Sequence, residues 1–234
     1  MTAPHIAHAI WQTLRISVPT IWQGMRGSLT PEACDRRLAQ WSRAIIERAS
    51  IQLTVQGGEH ATAGESFVLM SNHQSLYDVP VIYQALDRRI RMVAKQELFR
   101  VPLWGRAMHR AGFIALDRQS RERSRETLLA SASILQTGTS IWIAPEGTRS
   151  KDGKLGPFRK GGFHLALQSG CRILPITILG TSAVLSAKSA RITDGCAVKV
   201  VVHPPIDPQK FGEARRDELI TEVRSAIASA LPAS

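Results

Sequence analysis

The sequence predicts a single α/β domain with a mostly parallel or mixed central sheet of about seven strands, flanked by helices and preceded by an N-terminal helical segment. Three observations lead to this fold. Short apolar runs alternate with helical stretches from residue 51 onward, 234 residues with 44% hydrophobic side chains suffice for one large core, and no repeat or low-complexity linker divides the chain. We therefore expect N-terminal amphipathic helices over residues 1–50 and an α/β domain over residues 51–234.

The first element is an approximately helical pattern over residues 5–26, which Pro19 is expected to kink. Its apolar residues at helical spacing are Ile10, Leu14, Val18, Ile21 and Met25, with Trp11 and Trp22 alongside. Such a helix can lie in a bilayer interface, with its tryptophans at headgroup depth, or it can be an amphipathic helix packed on its own domain. Both interpretations remain open from the sequence.

A second helix is predicted to begin at Pro31, because proline favours the first helical position and Thr30 can cap it. Leu38, Trp41 and Ile45 share one face of this helix, which indicates that the face packs on the core.

The remaining elements follow from the alternation of apolar runs and helical stretches. The predicted strands are 51–55, 67–70, 92–94, 113–116, 141–144, 173–179 and 198–202. The predicted helices are 79–87, 101–111, 120–136, 160–169 and 211–230. Because ligands of open α/β sheets bind at the carboxyl ends of the strands, the residues just after each strand are the candidates for a site.

The net charge of +11 indicates an anionic partner, which can be nucleic acid, an anionic membrane surface or a phosphate-bearing substrate. With only two Tyr and six Phe and no recognisable reading motif, nucleic acid is disfavoured.

The three cysteines, Cys34, Cys171 and Cys196, are too far apart for a metal-ligand or disulfide pattern, which is typical of a cytosol-facing protein. No run approaches the ~18 apolar residues of a transmembrane helix, and no secretory signal is expected.

The strongest motif is SNHQSLYD at residues 71–78, directly after a predicted strand. His73 and Asp78 lie on different faces of a regular helix, so they can meet only if His73 is in the loop before it. A carboxylate then fixes the tautomer of an imidazole that takes a proton from a hydroxyl. Alternatively, Ser75-x-x-Asp78 is a capping box and Asp78 only caps the helix. Since no Gly-x-Ser-x-Gly elbow is present, the nucleophile would be the substrate's own hydroxyl.

Other predicted strands also end in charged residues, namely Lys95, Asp117, Arg118, Glu146 and Arg149. If these strands run the same way, the charges converge on one sheet edge and form a polar site for an anionic substrate. Within PEGTRS at 145–150, Gly147 permits a tight turn, Thr148 or Ser150 can cap, and Arg149 offers a planar fork of donors for a phosphate. The alternative is a surface turn with a solvated arginine.

Four blocks together resemble the glycerolipid acyltransferase family, whose bacterial members, the 1-acyl-sn-glycerol-3-phosphate acyltransferases, convert lysophosphatidic acid to phosphatidic acid. The blocks are NHQSLYD at 72–78, GFIALDR at 112–118, PEGTRS at 145–150 and LPITI at 174–178. FRKGG at 158–162 and KQEL at 95–98 are also similar to family features, and the likeness covers roughly residues 38–205. One departure is Ala144, where the family often has Phe.

The resemblance implies a reaction and a set of roles. His73 would deprotonate a glycerol hydroxyl, and Asp78 would orient it. The implied substrate-binding residues are Lys95, Arg118 and Arg149 for the acceptor phosphate and Glu146, Gly147 and Thr148 for the substrate loop, with residues 174–178 lining the acyl side. Backbone N–H groups after His73 are the candidate donors to the reaction oxyanion.

The acyl donor implied by the resemblance is acyl-CoA or an acyl carrier protein thioester, and no metal or other cofactor is expected. The implied location is the cytoplasmic face of the inner membrane, with peripheral or interfacial attachment. Two alternatives remain: an acyltransferase acting on another lysolipid, such as a lyso-ornithine lipid or a lysophospholipid, and a non-catalytic module that binds anionic lipid.

Overall fold

The computed structural model describes residues 2–117 and 119–232, and in this part of the chain seven strands form one sheet. The strands are β1 (Gln52–Gln56), β2 (Val68–Ser71), β3 (Ile90–Lys95), β4 (Ile114–Leu116), β5 (Ser140–Ile143), β6 (Ile173–Leu179) and β7 (Ala197–Val202). Their spatial order is β1-β7-β6-β2-β5-β3-β4. Each overlaps a strand predicted from an apolar run, and the predicted fold class is confirmed.

The helices surround this sheet. They are α1 (Thr2–Met25), α2 (Pro31–Arg48), α3 (Asp78–Ala85), α4 (Trp104–Arg110), α5 (Arg121–Ala130), α6 (Ala132–Leu135), α7 (Gly161–Ser169), α8 (Thr181–Val184) and α9 (Arg216–Ser229). Short 3-10 turns occupy Gly58–His60, Gln96–Arg100 and Pro208–Lys210. As predicted, α2 begins at Pro31, and the Thr30 hydroxyl accepts the Ala33 N–H at 3.2 Å.

Two helical details differ from prediction. The expected helix over 120–136 is divided into α5 and α6 at Ser131, whose hydroxyl donates to the Leu128 carbonyl at 2.6 Å. Such local bonds compete with continuation of a helix. The four-residue α8 was not predicted, because so short a segment has no measurable periodicity.

Strand direction sets the position of the site. Pairing is parallel between β2 and β6, β2 and β5, β3 and β5, and β3 and β4, so these five strands run the same way. In contrast, β7 is antiparallel to β6, and β1 is parallel to β7. The carboxyl ends of β2, β3, β4 and β5 therefore share one edge of the sheet. This is the strand direction that the predicted polar site required.

Hydrophobic cores cover both faces of the sheet. Leu69 and Trp142 pack with α2 and α3 in one core, whereas their neighbours Val68 and Ile141 pack with α7 and α9 in the other. Alternate residues of a strand point to opposite faces, so this division follows from the pleat of β2 and β5. Burial on both faces explains why the strands are continuous apolar runs rather than alternating ones.

Helix α1 packs with its polar face inward. His5 and Ser17 are buried, and Arg37 of α2 donates to the Thr20 hydroxyl at 3.0 Å and to Gln23 Oε1 at 2.7 Å. The apolar side chains face outward, at exposures of 38% to 68%: Ile6, Ile10, Trp11, Leu14, Val18, Trp22 and Met25. The helix therefore packs on its own domain, as one of the two interpretations held, but it does so through its polar face. The helix continues across Pro19 to Met25. Among the described residues, no helix combines the length and apolarity that crossing a bilayer requires.

Candidate active site

The loop between β2 and α3 carries the candidate site, and Asn72 fixes where it begins. The Asn72 side-chain amide donates to the Ile178 carbonyl at 2.8 Å, and its oxygen accepts the Ile178 N–H at 2.8 Å. Both contacts are buried. The side chain therefore continues the pairing of β2 with β6 beyond the last backbone partners, Ser71 and Ile176, and anchors the next residue to the sheet.

His73 and Asp78 form a hydrogen-bonded pair. The distance from His73 Nδ1 to Asp78 Oδ2 is 2.7 Å, Asp78 is fully buried, and the His73 side chain keeps 17% exposure. Helix α3 begins at Asp78, so His73 lies in the preceding loop as predicted. Because a carboxylate only accepts hydrogen bonds, Nδ1 carries the proton and Nε2 presents a lone pair. Nε2 has no hydrogen-bond partner among the described residues.

Asp78 binds the backbone of the loop before α3 as well as the ring of His73. Its Oδ2 accepts the N–H groups of Gln74 at 2.8 Å and Ser75 at 2.9 Å in addition to the His73 contact. Oδ1 accepts the hydroxyl of Thr181 at 2.5 Å. The alternative that Asp78 only caps the helix is wrong, because Tyr77 is the N-cap of α3 and, within the described residues, no side chain caps this helix. The carboxylate that orients His73 therefore also holds the loop that wraps around it.

Glu146, after β5, holds the backbone of His73. Its Oε1 accepts the His73 N–H at 2.9 Å, and its Oε2 accepts the Gly156 N–H at 2.8 Å. Burial raises the pKa of the Glu146 carboxyl, and the N–H groups of Gly156 and His73 oppose that rise. The Ser150 N–H donates to the His73 carbonyl at 2.7 Å. Glu146 therefore shapes the loop rather than offering an uncommitted oxygen to a substrate.

The turn after Glu146 requires glycine. Gly147 has φ of +71°, and a Cβ there would lie 2.6 Å from Arg159 Nε. Thr148 is exposed. Arg149 is partly buried, and its guanidinium forms no ion pair with a carboxylate in the described part of the chain. Its charge is therefore available to an external anion.

The other charged residues that were predicted at this sheet edge differ in status. Lys95 ends β3 with its side chain 50% exposed, and its Nζ lies 3.6 Å from Glu97 Oε1. Asp117 Oδ1 accepts the Gln119 N–H at 2.9 Å, so it stabilises its own turn. Arg118 lies outside the described residues.

Two expectations about the surroundings of His73 require correction. Among the N–H groups after His73, those of Gln74 and Ser75 are bound to Asp78 and that of Tyr77 to the Ser75 hydroxyl, so these three candidate oxyanion donors are already engaged. Residues 174–178 are buried within β6, where Leu174 and Ile176 pack in the core. The structure thus places this block in the interior rather than along an acyl groove.

Neither the role of Thr181 nor the Asn72 bridge was predictable from the sequence. Both join residues more than 100 positions apart, Thr181 to Asp78 and Asn72 to Ile178. A short polar residue after Gly180 was the available signal, and it indicates only a turn.

Comparisons with known proteins agree with this geometry. The sequence model described as Acyltransferase matches residues 52–179. The 1-acyl-sn-glycerol-3-phosphate acyltransferase LPAT1 of Arabidopsis thaliana chloroplasts is 33% identical over 77% of this chain and 49% of its own length. The Borreliella burgdorferi enzyme called 1-acyl-sn-glycerol-3-phosphate acyltransferase is 29% identical over 78% of this chain and 73% of its own length.

A solved structure has the same fold. The 1-acyl-sn-glycerophosphate acyltransferase PlsC of Thermotoga maritima superposes with a TM-score of 0.76 at 24% identity, covering 97% of this chain and 96% of that one. The chain spans about half the length of the plant relatives that it matches. Since the family model spans more than half of the sequence, the chain belongs to the Acyltransferase family.

Proposed function

We propose that this protein transfers a fatty acyl chain from acyl-CoA or an acyl carrier protein thioester to the sn-2 hydroxyl of lysophosphatidic acid, giving phosphatidic acid for phospholipid synthesis. The observation that carries this proposal is the 2.7 Å contact between His73 Nδ1 and Asp78, which leaves Nε2 without a partner among the described residues. The names of the relatives from Arabidopsis and Borreliella support the choice of acceptor.

In the proposed mechanism, His73 Nε2 takes the proton of the acceptor hydroxyl as its oxygen attacks the thioester carbonyl. Asp78 keeps the ring in position and stabilises the imidazolium that forms. The carbon–sulfur bond of the tetrahedral intermediate then breaks, and His73 returns the proton to the leaving thiolate. Substrate positioning supplies much of the remaining rate enhancement.

The acceptor phosphate is assigned to Arg149, helped by Lys95 and by Arg118, which lies outside the described residues. Support for Arg149 comes from its place in the loop tied to His73 and from its lack of a carboxylate partner in the described chain. An arginine fork matches the geometry of a phosphate and forms charge-assisted hydrogen bonds with it.

The acyl chain is assigned to an apolar cavity between α1 and the helices α2, α3 and α4. Its walls include Ile16, Trp41, Tyr83, Met108 and Phe113. Apolar walls of this kind favour a hydrocarbon ligand.

Membrane attachment is assigned to the outward apolar face of α1. The tryptophans Trp11 and Trp22 are 62% and 50% exposed, and the net charge of +11 favours an anionic surface. A helix with this arrangement can lie at the boundary between headgroups and acyl chains. Peripheral attachment to the cytoplasmic face of the inner membrane fits a lipid acceptor and a water-soluble acyl donor.

The test is an assay of lysophosphatidic acid with labelled acyl-CoA in detergent, comparing the wild type with His73→Ala. General-base catalysis contributes about 10²- to 10⁴-fold, so the variant should lose nearly all turnover while retaining acceptor binding. Near-normal turnover in His73→Ala would falsify the base role. Faster turnover of a lyso-ornithine lipid would reassign the acceptor. Binding to vesicles without turnover of any lysolipid would indicate that the protein is a non-catalytic lipid-binding module.

A further inference from the structure

We propose that Thr181 is a positioning residue of the His73–Asp78 pair, acting through the hydrogen bond from its hydroxyl to Asp78 Oδ1. This inference deepens the proposed function and rests on it. Thr181 does not touch the substrate in this assignment. It sets the plane of the carboxylate, which in turn sets the direction of the His73 ring.

The contacts of Asp78 are divided unevenly between its oxygens. Oδ2 accepts three hydrogen bonds, from His73, Gln74 and Ser75. Within the described chain, Oδ1 accepts one side-chain hydrogen bond, from the Thr181 hydroxyl. Both Thr181 and Asp78 are fully buried, so water cannot replace the hydroxyl without entering the core. Removing Thr181 would therefore leave a buried carboxylate oxygen without a donor.

The carboxylate needs this second point of attachment. Rotation about the last side-chain bond of aspartate has a broad energy profile, so bonds to one oxygen do not fix the plane of the group. The Thr181 bond holds Oδ1 and thereby keeps Oδ2 facing His73 Nδ1. Since a displacement of about 1 Å can reduce an enzymatic rate about 10²-fold, a small rotation of Asp78 is enough to affect turnover.

Thr181 is itself held in place by the surrounding backbone. The preceding Gly180 has φ of +88°, and a Cβ there would lie 2.3 Å from the Ala197 carbonyl oxygen, so glycine is required at this turn. On either side, Ile178 is bound by the Asn72 amide, and the Leu185 carbonyl accepts the Ser75 hydroxyl at 2.7 Å. The segment 178–185 is thus tied to the catalytic loop at three points, with Thr181 in the middle.

The test compares Thr181→Val, which has nearly the same shape but no donor, with Thr181→Ser, which restores the hydroxyl. We expect kcat to fall at least tenfold in Thr181→Val with the KM for lysophosphatidic acid changed less than twofold, and to stay within about threefold of the wild type in Thr181→Ser. The matched control is Thr177→Val, which removes a buried hydroxyl bonded to His203 and the Ile227 carbonyl. This control should keep the wild-type kcat.

A spectroscopic measurement tests the inference independently of turnover. The proton on His73 Nδ1 should give a low-field NMR resonance, assigned by its loss in His73→Ala. We expect the resonance to persist in Thr181→Ser and Thr177→Val and to shift upfield or vanish in Thr181→Val. If Thr181→Val does not fold, Thr181→Ala takes its place.

The outcomes separate the two proposals. A wild type that transfers no acyl chain to any lysolipid overturns the proposed function, yet the resonance still decides whether Thr181 orients the pair. Wild-type kcat and an unchanged resonance in Thr181→Val overturn the role of Thr181 alone. Equal losses of kcat in Thr181→Val and Thr177→Val also overturn it, because they would indicate a general effect of losing a buried hydroxyl.

Discussion

At the scale of single residues, His73 is constrained through its backbone as well as its ring. Its N–H is bound by Glu146, its carbonyl by the Ser150 N–H, and its ring by Asp78. The first two contacts come from the loop after β5, and the third comes from the start of α3. In the proposed mechanism His73 is the general base, and holding its backbone and ring from two elements fixes the orientation that proton transfer requires.

Glu146→Gln tests the backbone constraint. A glutamine keeps one acceptor oxygen but turns its amide NH2 toward a backbone N–H, so one of the two bonds, to His73 or Gly156, is replaced by an unfavourable donor–donor contact. We expect the free energy of unfolding to fall by about 1–3 kcal/mol and kcat to fall at least tenfold. Urea denaturation and the acyl-transfer assay measure both effects. Glu222→Gln, at an exposed site on α9, is the control, and equal behaviour of the two variants would contradict the role of Glu146.

Arg149→Ala tests the phosphate assignment. Hydrogen bonds to a charged group contribute about 1.5–3 kcal/mol, which corresponds to an increase of about ten- to hundredfold in the KM for lysophosphatidic acid. An acceptor without a phosphate monoester should be affected much less. Arg191→Ala, which removes an exposed arginine, is the matched control. An unchanged KM in Arg149→Ala would remove this residue from the acceptor site.

At the scale of elements, β6, β7 and α9 meet at a buried polar junction. The Thr177 hydroxyl donates to the Ile227 carbonyl at 2.7 Å and therefore accepts from His203 Nε2 at 2.8 Å. Burial lowers the pKa of His203, and repulsion from His60 adds to this effect. Protonation of His203 thus favours the unfolded chain. The stability that neutral His203 contributes is fully present above about pH 6.5 and is lost as the pH falls through the lower pKa of the folded state.

His203→Gln should reduce this pH dependence, because glutamine keeps an N–H donor but does not titrate. Between pH 7.5 and pH 5, the wild type should lose more unfolding free energy than the variant. Urea denaturation at both pH values measures the difference. His109→Gln, at an exposed position, should follow the wild type. Parallel pH profiles for the wild type and His203→Gln would contradict the contribution of His203.

The strands and the His73–Asp78 pair were predictable from the sequence, whereas the Thr181 bond and the orientation of α1 were not. The strands were predictable because burial on both faces makes them unbroken apolar runs, and His73 with Asp78 was predictable because both belong to one short motif. The bond from Thr181 to Asp78 was not, because it depends on how β6 lies beside β2. The orientation of α1 was not predictable either. Helical spacing indicates that a helix has two different faces, but it does not determine which one packs on the protein.

At the scale of the whole molecule, the proposed membrane attachment assigns the apolar face of α1 and the positive charge to one partner, an anionic bilayer surface. Replacing Trp11 or Trp22 by Gln should weaken binding to anionic vesicles by about ten- to hundredfold, since burying a large apolar side chain contributes about 1.5–3 kcal/mol. Vesicle sedimentation measures the change. Binding of the wild type should also weaken as salt increases. Val55→Gln, an exposed apolar site on β1, is the control. Unaltered binding of both tryptophan variants would exclude α1 as the attachment surface.

The proposed mechanism places the acceptor hydroxyl beside His73 Nε2, and its oxygen attacks the donor thioester directly. No acyl-enzyme intermediate forms in this mechanism, so donor and acceptor are bound to the protein at the same time. Initial rates should follow a ternary-complex pattern with intersecting double-reciprocal lines, and thiol should not be released in a burst before the lysolipid is added.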